Sequence, residues 1–96
     1  MTQRNSTLFT YYDFGNPASE LPCEVCFEGE AIAVSFADEG TRVVYRGHTA
    51  GAGHWRLECV SGAKGRATLH RFEDEDVLEG WWLENGSEGM WRIRLH

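Results

Sequence analysis

The stretch Val77-Leu78-Glu79-Gly80-Trp81-Trp82-Leu83-Glu84-Asn85-Gly86-Ser87-Glu88-Gly89-Met90-Trp91-Arg92-Ile93-Arg94-Leu95 decides the fold of this chain. In its second half Trp91, Ile93 and Leu95 alternate with Met90, Arg92 and Arg94, the period of two that gives one set of side chains to a core and the other to water. In its first half Leu78, Gly80 and Trp82 share a face. Asn85-Gly86-Ser87-Glu88 joins the halves, and its Asn-Gly pair tolerates the positive φ of a tight turn. The spacing predicts a β-hairpin.

The same period continues upstream. Residues 65–72 place Ala67 and Leu69 inward and then meet the acidic turn Glu73-Asp74-Glu75-Asp76, too charged to be buried. Residues 53–60 place Trp55, Leu57 and Cys59 inward, and Ser61-Gly62-Ala63-Lys64 makes the next turn. Val43 and Tyr45 in 41–47, and Ile32, Val34 and Phe36 in 31–37, flank the loop Asp38-Glu39-Gly40. Val25 and Phe27 mark a strand over 23–28, and Leu8, Phe9, Tyr11 and Tyr12 one over 7–12. Asn16-Pro17 before Ala18-Ser19-Glu20-Leu21 reads as one short helical turn near 17–21. The expectation is an all-β chain over 1–96, an antiparallel up-and-down meander of seven to eight strands closed into a barrel, with the pattern weakest over 1–22. Closure is required because an open meander of this length exposes two edges.

Gly-x-Trp occurs three times, as Gly53-His54-Trp55, Gly80-Trp81-Trp82 and Gly89-Met90-Trp91. Residues two apart share a face of a strand, so each glycine stands beside its tryptophan on the inner wall, where a missing side chain lets the strand bend. Through these motifs, residues 41–96 resemble the calycin group of avidin- and lipocalin-like barrels. The resemblance implies a barrel mouth that takes a small apolar ligand, lined here by Tyr45, Trp55, Trp82 and Trp91. Against a carrier stands the bulk of the inward side chains, since eight strands enclose an interior only just wide enough to be filled by them or to hold one small ligand.

Charge narrows the partners. Nine basic and fifteen acidic side chains give a net charge of −6, which opposes non-specific binding to nucleic acid or an anionic membrane. Residues 1–40 carry Asp13, Glu20, Glu24, Glu28, Glu30, Asp38 and Glu39 against Arg4 alone, which is either a solvated acidic side or a docking surface for a basic partner. No apolar run is long enough for a membrane helix or follows Met1 as a signal peptide. Three cysteines cannot all pair within the chain, so a reducing cytoplasm is the expected compartment.

Cys23-x-x-Cys26 is half of a zinc motif that needs completion by Cys59, His48 or His54; otherwise Cys23 lies at a strand entrance and Cys26 is a small apolar strand residue. No nucleophile elbow, phosphate loop or cofactor motif is present, so neither an enzyme nor a cofactor is expected. His48 and His54 with Glu79 or Asp76 are the one acid-base grouping, and exposed loop histidines, like His70, the simpler reading. Arg42, Arg46, Arg56, Arg66, Arg92 and Arg94 alternate outward, where Glu58 and Glu79 offer cross-strand partners. Trp81 must face outward if Trp82 faces inward, and with Met90 and the arginines it has the composition of a protein-interface hot spot, unless Phe9, Tyr11 or Phe14 covers it. The expected function is a non-catalytic module that binds a protein partner through Trp81, Met90, Glu24, Glu28 and Glu30, as an inhibitor or adaptor covering a basic surface. The alternative is the calycin-like carrier. A homodimer through a strand edge or the Trp81 surface is a third expectation.

Overall fold

In the computed structural model, which describes residues 2–11 and 19–96, eight strands follow one another: β1 (Thr2–Tyr11), β2 (Ser19–Glu28), β3 (Ala31–Asp38), β4 (Thr41–Thr49), β5 (His54–Cys59), β6 (Gly65–His70), β7 (Val77–Glu84) and β8 (Ser87–Leu95). Each is antiparallel to the next, and β1 also pairs with β8, closing the barrel. Closure pairs the two edge strands of the sheet with each other. The expected helical turn is corrected: Ser19, Glu20 and Leu21 are strand residues opposite Thr10, Phe9 and Leu8. Its remaining part, with Tyr12, Asp13, Phe14 and Pro17, lies outside the described residues.

The turns take the backbone forms their residues allow. Asn85 and Gly86 have φ of 51° and 85°, and Glu39 and Gly40 have 50° and 81°, the paired positive values of the two-residue turn whose twist matches the flanking strands.

The interior is a packed core. Leu8, Val25, Ile32, Val34, Leu57, Leu69, Leu78 and Ile93 are fully buried, and Tyr45, Ala67, Trp91 and Leu95 join them. Phe27, Phe36, Val43, Trp55 and Trp82 pack against this cluster nearer the ends. At one end Phe27 and Trp55 lie 6.0 Å apart, with the Arg71 guanidinium 5.8 Å over the Phe27 ring. Arg71 also donates to the Glu75 carbonyl, and Arg4 and Arg71 both reach Asp76. The acidic loop is thereby folded back toward the barrel rather than left extended.

The glycines and tryptophans of the β7–β8 hairpin are crossed. Gly80 stands opposite Trp91, and Gly89 opposite Trp82. The Trp91 indole packs edge-on to Tyr45 at 5.5 Å and donates from Nε1 to the Thr68 carbonyl at 2.9 Å. That carbonyl sits where a Cβ on Gly80 would be, 1.7 Å from the ideal position. Between β6 and β7 the register runs from Ala67↔Trp82 to His70↔Glu79 and skips the residues between. The Thr68 hydroxyl there accepts from the Trp81 backbone N–H at 3.2 Å. The bend at Gly80 thus releases ladder groups, and an indole and a hydroxyl take them up, as buried backbone polar groups require.

Candidate functional site

Strand periodicity places the sequence-predicted residues on two walls. Tyr45, Trp55, Trp82 and Trp91 are inside, where they belong to the core or pack against it rather than line an open mouth. Trp82 donates to the Met90 carbonyl at 3.1 Å and Tyr45 to Glu84 Oε1 at 3.1 Å. Tyr45 and Trp91 are each only 3% exposed. Two large hollows formed by the described residues instead lie on the outer wall.

The first, of about 1370 Å³, is an open groove across β2 to β7. Its floor is low because β3 turns the small side chains Ala31, Ala33 and Ser35 outward. Glu24 and Glu28 stand on one side. Arg42, Arg46, Arg56 and Arg66 stand on the other with Glu58 among them, and Trp81 closes the far end. The register explains the grouping: Glu28, Ala31, His48, Arg56 and Thr68 follow one another across five strands in a single outward row. The second hollow, about 670 Å³, adjoins the first at Thr68 and Trp81 and is walled by Phe72, Val77, Met90 and Arg92. Trp81 is the ridge between the two. Phe72 is 84% exposed and Met90 46%, so the second hollow offers apolar surface beside the charged groove.

The cross-strand ion pairs expected of the arginines form only in part. Arg92 meets Glu79 at 3.0 Å. Glu58 lies in register between Arg46 and Arg66, yet among the described residues Arg42, Arg46 and Arg56 make no ion pair. Arg66 turns its guanidinium over the Trp81 ring, 5.7 Å from the centroid, and Trp81 Nε1 donates to Glu88. Register brings backbones within reach, but long exposed side chains gain little from pairing in water.

Trp81 is partly covered. Met90, its register partner, lies between it and Tyr11, and Phe9 stands opposite Arg92. Phe14 lies outside the described residues. Glu30 is exposed in the β2–β3 turn rather than in the groove, while Asp38 ends β3 and Glu39 enters the turn at its opposite end. The described acids of residues 1–40 therefore do not form one patch.

Cys23 and Cys26 cannot share a metal. Three residues apart on β2, they face opposite walls: Cys23 is buried in the core and Cys26 lines the outer groove. Cys26 is a strand residue as expected, whereas Cys23 lies within β2 rather than at its entrance. The proposed acid-base grouping also disperses, since His54 pairs with His70 rather than His48, Glu79 with Arg92, and Asp76 with Arg4 and Arg71.

Burial, with the nearby Glu24 carboxylate, pushes the Cys23 thiol up to about 12 from 9.0. Burial and the Glu84 carboxylate push the Tyr45 phenol up as well. Both groups hold a proton in the fold that the unfolded chain gives up, so their stabilising contribution is complete below pH 9 and falls as pH rises toward 12. Urea unfolding at increasing alkaline pH should show falling stability, with a shallower fall in Cys23→Ala. A thiol reagent at neutral pH should label Cys26 and Cys59 in the folded protein and Cys23 only after unfolding. Labelling of Cys23 at the same rate as the others would contradict its place in the core.

Fold and surface together define a small closed up-and-down β-barrel with a filled interior and an outer charged groove. Compared with protein-family models, curated proteins and solved structures, the chain matches none of them. Of the calycin resemblance, the closed antiparallel barrel is present.

Proposed function

We propose that the protein is a non-catalytic binding module that docks a protein partner on its outer wall, across the groove of β2 to β7 and the hollow beyond Trp81. The observation that carries this reading is the convergence of Arg42, Arg46 and Arg56, without carboxylate partners among the described residues, on a groove that ends at a half-covered tryptophan. Guanidinium groups fixed along strands suit carboxylates, which they bind in a planar, two-pronged fashion. Trp81, Met90 and Phe72 supply the apolar anchor that an interface core needs. The partner's docking segment accordingly carries acidic side chains against β4 and β5 and an apolar side chain against Trp81. Glu24 and Glu28 on the far rim set its orientation by favouring a basic group there.

The docking surface so defined keeps Trp81, Met90, Glu24 and Glu28 of the expected set, leaves Glu30 outside the groove, and adds a group of arginines that an acidic segment would meet. An inhibitor or adaptor role fits a domain of this size that works by covering a surface. Against the carrier alternative stands the burial of Tyr45 and Trp91 in the core, with Trp55 and Trp82 packed against it.

The test is affinity capture from the source cell with the wild type, Arg46→Glu/Arg56→Glu, Trp81→Ala and Lys64→Glu, each checked for folding. Lys64 is exposed in the β5–β6 turn and lines neither the groove nor the second hollow. A protein retained by the wild type and Lys64→Glu but lost from the other two, in a salt-sensitive manner, is the expected result. Identical capture by all four proteins sinks the reading.

A further inference from the structure

His54 and His70 stand directly opposite one another on β5 and β6. Both are exposed on the outer wall. Their rings meet edge to face, with centroids 4.5 Å apart and an interplanar angle of 85°, and their Nδ1 atoms face each other in a hydrogen bond. Directly opposed positions are the closest pair a sheet offers, with Cβ atoms about 5 Å apart, so the backbone holds the two imidazoles together. One proton lies between the two nitrogens, and the nitrogen that accepts it points its lone pair at the same spot. Glu79 is next in the same outward row, opposite His70, and keeps its carboxylate there through Arg92 at 3.0 Å.

We propose that His54 and His70 form a two-imidazole site for a borderline divalent transition-metal ion, of the Ni2+, Cu2+ and Zn2+ class, held between their Nδ1 atoms. Imidazole nitrogen selects these ions over the hard cations Mg2+ and Ca2+, which seek oxygen. On binding, the proton shared between the rings moves to Nε2 of the ring that carried it. Both rings are then neutral, both Nδ1 lone pairs are donated, and two waters leave the ion. No proton is released overall and the oxidation state is unchanged. Among the described residues no group of three or more His, Cys, Asp or Glu converges to hold a metal, so the ion keeps water in its remaining positions. Such a site is open to an incoming ligand, unlike the four-ligand cages that serve structure alone. The Glu79 carboxylate contributes negative charge beside the ion without coordinating it. Because the ligands sit on two strands, the bound ion also clips β5 to β6 and stabilises the folded state by mass action.

The site is separate from the docking reading, so the two fail independently. The experiment is calorimetric titration of the full chain with NiCl2 near neutral pH, Ni2+ being chosen because, unlike Cu2+, it does not oxidise the thiols of Cys26 and Cys59. One ion per chain is expected for the wild type. His54→Asn and His70→Asn should each weaken binding by about tenfold or more, while His48→Asn, exposed on β4 and outside the pair, should bind as the wild type does. Millimolar Ni2+ should raise the melting temperature of the wild type and of His48→Asn but of neither pair variant. Melting without metal identifies any variant that is not folded, and either pair variant suffices alone. Absence of binding to the wild type at millimolar Ni2+, retention of full affinity by the pair variants, or an equal loss in His48→Asn would each overturn the proposal.

Discussion

Gly80→Ala should lower stability by about 3 kcal/mol, the upper part of the range for forcing an extra carbon into a packed site. In a domain of this size that is a melting-temperature loss of roughly 12 to 24 °C. The reason is local. A Cβ at residue 80 would lie 1.7 Å from the Thr68 carbonyl oxygen and 2.5 Å from its carbon. Those are backbone atoms, which cannot rotate aside as a flexible side chain would. Relief requires β6 and β7 to separate beside Leu69 and Leu78, both fully buried. Urea unfolding followed by tryptophan fluorescence measures the change, and stability within about 0.5 kcal/mol of wild type, the ordinary range for harmless substitutions, would show that nothing is crowded at Gly80.

Trp91→Ala should cost a comparable amount, about 3 to 5 kcal/mol, as is usual for removal of a large buried aromatic side chain. Two effects combine. The Tyr45 ring loses its edge-to-face partner, leaving a cavity beside it, and the Thr68 carbonyl loses the indole donor at 2.9 Å. Trp91→Phe separates them: it keeps a ring against Tyr45 but leaves the carbonyl without that donor, and should cost about 1 to 3 kcal/mol for the unpaired group. A double variant, Gly80→Ala with Trp91→Phe, should be less destabilised than the sum of the single changes, because the Thr68 carbonyl is common to both and becomes freer to move. If Trp91→Phe is neutral, the indole hydrogen bond is not what offsets the gap in the β6–β7 ladder.

The outer groove has the opposite sensitivity. Its arginines are exposed and make no ion pair among the described residues, so substituting Arg46 or Arg56 should leave stability nearly unchanged while altering what the surface binds. Core and surface effects can therefore be separated by one unfolding experiment on each variant. That separation keeps the docking test interpretable.

The sequence by itself determined the strands and their faces. Alternation of Trp91, Ile93 and Leu95 with Met90, Arg92 and Arg94 fixes which side of β8 is dry, because a one-residue slip would expose the whole apolar set. Asn85-Gly86 and Glu39-Gly40 carry the turn geometry in residues able to adopt positive φ. The barrel followed from the same logic, since eight half-apolar strands need a closed surface to bury one face without leaving edges. The helical turn failed because Asn16-Pro17 is only a local signal, whereas Ser19, Glu20 and Leu21 gain a ladder with β1.

What pairing partners do to one another was decided by the tertiary structure alone. Period two states that Gly80 and Trp82 share a face; it does not state that Gly80 lies opposite Trp91, or that the Thr68 carbonyl occupies the space the glycine leaves. The spacing of Cys23 and Cys26 was legible as opposite faces, but the depth of Cys23 depends on the β2 strand beginning at Ser19 and pairing with β1. The groove joins residues from six strands, and His54 meets His70 only because the Ser61-Gly62-Ala63-Lys64 turn sets the β5–β6 register. Local sequence fixes periodicity and turn chemistry, which act within a few residues. Register around a closed barrel is a collective property, set when all eight strands bury one interior together, and it alone decides which distant side chains become neighbours.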